Sequence, residues 1–256
     1  MKKIILSIIA IFAAVSAIKA QNETTKGLEW SNRNKLEYEV CAGFNIGGTS
    51  PLPIPGEIRK ILSFNPDLQL SLGANITKWI NPKWGVRVGL QFQSKGMETK
   101  AKVKNYGMEI IQDGSRVKGN WTGNVKTKYK SSLFYLPISA AYKINNRWKV
   151  FFGPYVDFVL KDEFSGYVYN GYLREGDPTG NKVTFDGETK AEYNFSDELR
   201  WFHYGIQGGG SWQAFKHLAI NAQLQWGLNN IFKSSFKTIS FALYPIYLNL
   251  GFSYTF

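Results

Sequence analysis

The last residues of the chain alternate between apolar and polar without a break. Counting back from Phe256, one face carries Tyr254, Phe252, Leu250, Leu248, Ile246 and Tyr244; the other carries Thr255, Ser253, Gly251, Asn249 and Tyr247. Period two marks a strand whose two sides meet different surroundings. The run exceeds the roughly 9–11 residues that a tilted strand needs to cross a bilayer. The same rhythm recurs seven times upstream. Leu36, Tyr38, Val40, Ala42, Phe44 and Ile46 oppose Glu37, Glu39, Cys41 and Asn45; Leu68, Leu70, Leu72, Ala74 and Ile76 oppose Gln69, Ser71, Asn75 and Thr77. Trp84, Val86, Val88, Leu90 and Phe92 face away from Arg87, Gln91 and Gln93, and Phe134 to Ile144 repeats the pattern against Tyr135, Ser139 and Lys143. Three further strands start at Trp148, Phe202 and Leu218, with Lys149, Tyr155 and Asp157, then His203, Gln207 and Ser211, then Asn221, Gln223 and Gln225 on their polar faces.

Connection lengths alternate as well. Short turns join the second and third strands (Ile80-Asn81-Pro82-Lys83), the fourth and fifth (Asn145-Asn146) and the sixth and seventh (Gln213 to Lys216), while the other connections are longer. In outer-membrane barrels short turns face the periplasm and long loops face outward. The expected fold is therefore all-β: an eight-stranded antiparallel transmembrane up-and-down β-barrel over 36–256, with short periplasmic turns and long extracellular loops. Closure removes the strand edges that lipid cannot satisfy. Trp84, Trp148, Trp212 and Phe256 fall beside the short turns, where an aromatic girdle belongs. Phe252, Tyr254 and Phe256 resemble the C-terminal signal read by the barrel insertion machinery, an expected partner during biogenesis.

The start of the chain fits export. Lys2 and Lys3 precede an apolar run from Ile4 to Ile18, and small residues end at Ala20. This is the pattern of a signal peptide over 1–20, leaving 21–35 as a periplasmic N-terminal segment. No Cys follows the run, and Cys41 is alone, so neither lipoprotein processing nor an internal disulfide is expected. Removing the leader lowers the net charge from +12 to +9. A basic protein of this size fits nucleic acid, but an exported one meets acidic lipid headgroups instead, so outer-membrane lipid and lipopolysaccharide are the expected partners and nucleic acid is not. A soluble lipocalin-like barrel or sandwich also alternates, with its apolar face inward. Against it, the polar face is rich in Gln, Asn, Ser and Gly but carries few charges, which makes a poor outer coat.

An eight-stranded barrel is just wide enough for its own side chains. Glu37, Glu39, Arg87, Lys143 and Lys149 take inward positions near the periplasmic end. Opposite charges there are expected to pair and plug the lumen. The second outer connection, Met97 to Lys130, carries a net +5, and the third, Asp162 to Glu198, a net −6. Parity carried outward from the flanking strands puts Lys100, Lys102, Lys104, Lys126, Lys128 and Lys130 on the outside, at the height of lipopolysaccharide phosphates. A bulge at Gly96-Met97 would scatter that patch. The two oppositely charged connections either dock on each other or meet separate partners. In the first connection Pro51-Leu52-Pro53-Ile54-Pro55 is a stiff stretch, and Ile58, Ile61 and Leu62 after it are expected to pack over the barrel mouth.

Catalytic chemistry is not evident. His203 and His217 are the two histidines, His217 has no nearby Ser, and His203 can at most meet Asp157 or another loop acid across the lumen. Metal-ligand spacing and phosphate-cradling loops are absent from the sequence, so no cofactor is implied and an enzyme is not expected.

Several stretches resemble the PorT-like outer-membrane β-barrel family: Gly43-Phe44-Asn45-Ile46-Gly47-Gly48, Thr49 to Pro55, Trp84 to Leu90 leading to Lys95-Gly96-Met97, and the aromatic C-terminus. The resemblance runs over most of the mature chain and implies an outer-membrane barrel with no catalytic residues to carry over. One branch of that family serves a protein secretion system. The expected role is structural or interactive, through the outer loops; an accessory secretion subunit contacting other envelope proteins and a small porin are the alternatives.

Overall fold

The computed structural model describes residues 35–112 and 115–256. The expected signal peptide and nearly all of the 21–35 segment lie outside the described residues. Among the described residues the fold is an all-β antiparallel sheet with one short 3-10 turn, Ser196–Glu198. Its strands are β1 (Leu36–Pro51), β2 (Ile58–Pro66), β3 (Gln69–Trp79), β4 (Trp84–Gln112), β5 (Ser115–Lys143), β6 (Trp148–Glu175), β7 (Lys182–Asn194), β8 (Phe202–Gln213), β9 (Leu218–Gly227) and β10 (Leu243–Thr255). The expected count of eight is thus corrected to ten among the described residues. β2 and β7 lie in stretches read as loops. They form because β4, β5 and β6 do not stop at a membrane's width but run for 29, 29 and 28 residues, offering extra edge to pair with.

Each of the other eight strands is hydrogen-bonded on both sides. β1 pairs β3, β3 pairs β4, β4 pairs β5 and β5 pairs β6. From there β6 pairs β8, β8 pairs β9, β9 pairs β10, and β10 returns to β1. Two of the short turns share one device: Asn81 Oδ1 accepts from the backbone N–H of Lys83 and Trp84 at 2.9 and 2.7 Å, and Asn145 Oδ1 accepts from those of Arg147 and Trp148 at 2.8 and 2.9 Å. Such an Asx turn fixes the reversal through the side chain itself, so each following strand starts in register on its Trp.

Within this circuit the molecule is inside out. On the first half of β4, Val86, Val88, Leu90 and Phe92 are 38–55% exposed, whereas Arg87, Gln91 and Gln93 are at most 8% exposed. The same split holds on β9, where Ile220, Leu224 and Trp226 face out while Asn221, Gln223 and Gln225 are buried. A water-soluble barrel would lose free energy on both faces by this arrangement. Aromatic pairs flank the exposed apolar zone: Trp84–Tyr142 at 4.7 Å and Trp148–Trp212 at 6.4 Å between ring centroids near the short turns, and Phe158–Trp201 at 6.1 Å near the long connections.

Beyond that zone the inner face changes character. β4, β5 and β6 continue together, β2 adds to β4, and β7 pairs β6 along its length and touches β4 at Ile111↔Glu192. Trp121, Ile110, Val168 and Leu173, fully buried, lie in an apolar core that Ile231 and Phe232 of the β9–β10 connection complete. Gly96↔Lys130 and Met97↔Tyr129 are in register, so the bulge considered at Gly96-Met97 is not there. The register shift comes later, between Val103 and Tyr106, with Asn105 at a φ of 55°; Asn tolerates that left-handed conformation better than most residues. Of the residues expected to pack over the mouth, all in β2, Ile58 packs against the apolar core, whereas Ile61 and Leu62 are exposed.

Candidate functional site: a bridged lumen beneath a charged sheet

The polar interior is crossed at several levels. Nearest the short turns, Lys149 reaches Glu37 at 2.5 Å, Lys143 lies 3.8 Å from the same carboxylate, and Trp79 Nε1 donates to it at 3.0 Å. The Lys143 ammonium also sits over the Trp79 ring, 3.7 Å from its centroid. One level up, Arg87 pairs with Glu39 at 2.8 Å and lies over the Phe151 ring. The five charged residues read from inward parity are therefore brought together, from β1, β4, β5 and β6. Neutral amides fill the middle: Asn249 donates to Asn45, Gln93 to Gln91 and Gln91 to Asn75, while Gln207 donates to Ser139 and Gln223 to the Tyr135 hydroxyl.

A further ion pair was missed by the sequence reading. Lys95 Nζ lies 3.0 Å from Asp157 Oδ2, with both side chains 2% exposed. Tyr135, Tyr155 and Tyr247 surround the ammonium, with ring centroids 5.5–5.7 Å away. Cation–π attraction and the carboxylate together compensate an ammonium that lies this far from water. The signal was available: Lys95 continues the inward parity of Gln91 and Gln93 by one more step. It ends the polar storey, since the next inward residue is Met97.

On the outer face of the long hairpin the six lysines are placed as follows. Lys100 stands opposite Lys126, Lys128 opposite Glu98 and Lys130 opposite Gly96, while Lys102 pairs with Asn124 on one side and Lys60 on the other. Lys104 is exposed at the register shift. Lys126 bonds Glu98 at 2.9 Å, and Lys128 lies 3.7 Å from Glu163 of β6. The hydrogen bond to Glu98 holds the Lys126 ammonium above its ordinary pKa. The Ser165 hydroxyl, with Lys128 and Lys130, holds the Glu163 carboxyl below the usual range. The basic and acidic connections thus form one continuous sheet through β5 and β6.

The terminal aromatics lie on the lipid-type face. Phe252 is 54% exposed, Tyr254 and Phe256 meet edge to face at 5.2 Å, and Phe256 N donates to Tyr38 O at 3.1 Å. His217 stacks on Tyr254 and bonds the Thr255 carbonyl at 2.8 Å. His203 is buried opposite Asp157 in the β6–β8 register. Among the described residues no group of three or more His, Cys, Asp or Glu side chains is placed to hold a metal ion.

The family model for the outer membrane protein beta-barrel domain matches residues 19–233. The chain belongs to this family. Membership puts the barrel in the outer membrane of a Gram-negative bacterium and accounts for its inverted polarity. Solved structures similar to it include Ail of Yersinia pestis, crystallised with the heparin analogue sucrose octasulfate (10% identity, 86% of this chain and 99% of that one, TM-score 0.37). OprG of Pseudomonas aeruginosa is similar at 13% identity over 86% and 95% of the two chains, with a TM-score of 0.32. The outer membrane protease OmpT of Escherichia coli is similar at 11% identity over 86% and 96%, with a TM-score of 0.33. No curated protein matches the chain.

Proposed function

We propose that the protein is a non-enzymatic transmembrane barrel with a plugged lumen, whose working surface is the sheet that β4, β5 and β6 raise above the outer leaflet. The eight strands of the closed pairing circuit are its membrane wall, and the short turns face the periplasm. The observation that carries this reading is the lumen, where Glu37–Lys149, Glu39–Arg87 and Lys95–Asp157 bridge it at three heights. An ion path would have to pass all three. In contrast, the sheet above the membrane has its own apolar core, and its outer face carries charges of both signs. Lys100, Lys102, Lys104, Lys126, Lys128 and Lys130 stand where lipopolysaccharide phosphates would meet them, a favourable pairing where lipid thins the water.

Planar-bilayer recording of the purified protein tests the plug. The expected trace is a baseline without steady openings; a stable, wide conductance in every insertion would overturn the reading and favour a porin. Extraction from native membranes in mild detergent, with a tag in a periplasmic turn, then tests the working surface. Lipopolysaccharide alone supports a stand-alone barrel, whereas envelope proteins held near one to one would shift the role to a subunit of a larger apparatus such as a secretion system.

A further inference from the structure

Above the lumen the outer half encloses an apolar cavity of about 390 Å³, lined among others by Gly48 and Thr49 of β1, Ile61 and Phe64 of β2, and Ala101 and Val103 of β4. Its wall is open on one side. β3 starts at Gln69, and above the Asn45↔Gln69 pair β1 has lost its neighbour on that flank. β2 takes over beside β4, from Ile58↔Val103 to Pro66↔Met97, but pairs with no other strand among the described residues. The edges of β1 and β2 therefore face each other across a seam. Ile61 and Phe64 stand opposite Ala101 and Thr99, on the cavity side of β4, yet are 56% and 48% exposed. Their exposure beside the unpaired edge of β2 marks the parted wall as an opening of the cavity, just above the exposed apolar belt.

The opposite face of the same strands carries uncompensated charge. Lys60 stands beside Lys102, and Lys100 beside Lys126, in direct cross-strand pairs. Like charges so placed repel. Among the described residues only Lys126 of these four has an ion-pair partner, Glu98. An apolar chamber with a side opening and a cationic strip one strand away suit one chemistry, an apolar chain bearing an anion. A free phosphate would leave the chamber unused, and a neutral hydrocarbon would leave the lysine repulsion unrelieved.

We propose that the cavity takes the acyl chain of a phosphate-bearing lipid of the outer leaflet, entering through the β1–β2 seam, with the phosphate held by Lys60, Lys100 and Lys102. The leaflet, and only the leaflet, rests on the orientation given above. The volume lies within the range of small-molecule sites. Charge-assisted contacts from the lysines would fix the head.

Calorimetric titration of delipidated protein in amphipol, with decyl phosphate, decanol and inorganic phosphate, tests this. Decyl phosphate is expected to bind at least tenfold tighter than decanol, and inorganic phosphate not to saturate. Gly48→Leu narrows the seam: a Cβ there would stand 2.5 Å from Met97 Sδ, which can yield, and 3.1 Å from the Phe64 ring on the facing edge. Ala101→Phe fills the chamber from the other wall. Each should weaken decyl phosphate at least tenfold, with folding checked by heat-modifiable migration, and Lys60→Gln/Lys102→Gln should bring it down to the level of decanol. Decanol binding as tightly as decyl phosphate, both cavity variants binding like the parent, or no binding of decyl phosphate at all would each overturn the proposal. Native mass spectrometry of protein taken from membranes then identifies the source: a retained glycerophospholipid or lipopolysaccharide mass supports it, and retention of detergent alone refutes it. The bilayer recording reads the lumen, which neither cavity variant touches, so failure here leaves the plugged barrel standing.

Discussion

Replacing Lys95 by Met strands the Asp157 carboxylate at 2% exposure, with its partner at 3.0 Å removed. Two unit charges at that separation attract by about 5.5 kcal/mol at an effective dielectric of about 20. Breaking a buried pair from one side costs about 3–5 kcal/mol, because the remaining charge has lost its compensation. Asp157→Leu strands the ammonium instead; Tyr135, Tyr155 and Tyr247 still offer it their rings, so the loss should fall at the lower end of the range. The double variant Lys95→Met/Asp157→Leu removes both charges and leaves apolar volume among three aromatic rings, a change that is often neutral or stabilising. Reversible guanidinium unfolding in lipid vesicles measures all four corners of the cycle. The expected pattern is two destabilised single variants and a double variant within about 1 kcal/mol of the parent, a strongly non-additive result. A double variant as unstable as the two singles added together would refute the reasoning: the ion pair would then not be the reason either residue matters.

Two further outcomes separate the storeys of the molecule. Trp121→Ala empties a fully buried site in the apolar core, where Trp121 meets Phe185 at 5.5 Å, and should cost the outer sheet about 3–5 kcal/mol; limited proteolysis should then cut within β4–β7 while heat-modifiable migration of the barrel persists, and co-loss of both would show that the storeys unfold as one. Glu163 has its folded pKa depressed by Ser165, Lys128 and Lys130, so its contribution is present above the ordinary glutamate value and is lost as pH falls through the lowered one; protease resistance of the outer sheet should drop across that acid window, and Glu163→Gln should flatten the drop.

The membrane half was legible because lipid and lumen impose opposite preferences on successive residues, so Val86-Arg87-Val88 and Leu248-Asn249-Leu250 declare both faces at once. Asn81 and Asn145 marked the reversals because their side chains make the turns. The far half was not legible in the same way. There the outside is wet and the inside apolar, so Lys100-Ala101-Lys102-Val103 also alternates, and parity placed its lysines outward, but nothing in the pattern told how far β4 and β5 continue. β2 was hidden further by Pro51 to Pro55 before it and by its irregular pairing, with register shifts at Ile58/Lys60 and Ile61/Ser63. Of the lumen charges, Glu37, Glu39, Arg87, Lys143 and Lys149 followed from parity within the strands as first bounded. Lys95 lay one step past that boundary and was overlooked.

β4 passes from Gln91, Gln93 and Lys95 to Met97 on a single inner face without a bulge, so one pleat serves two opposite environments in succession. This constrains how the hairpin can vary in length. Adding two residues to β4 and two to β5 above Met97 keeps every lysine outward and every apolar side chain inward, and merely makes the sheet taller. Adding one to each turns the whole upper storey over, sending Lys100 and Lys126 into the core and Val103 and Val125 out to water. The unit of permitted change is therefore the dipeptide pair, and homologous barrels of different height should differ in the hairpin by even steps on both strands, or carry a compensating bulge like the one at Asn105.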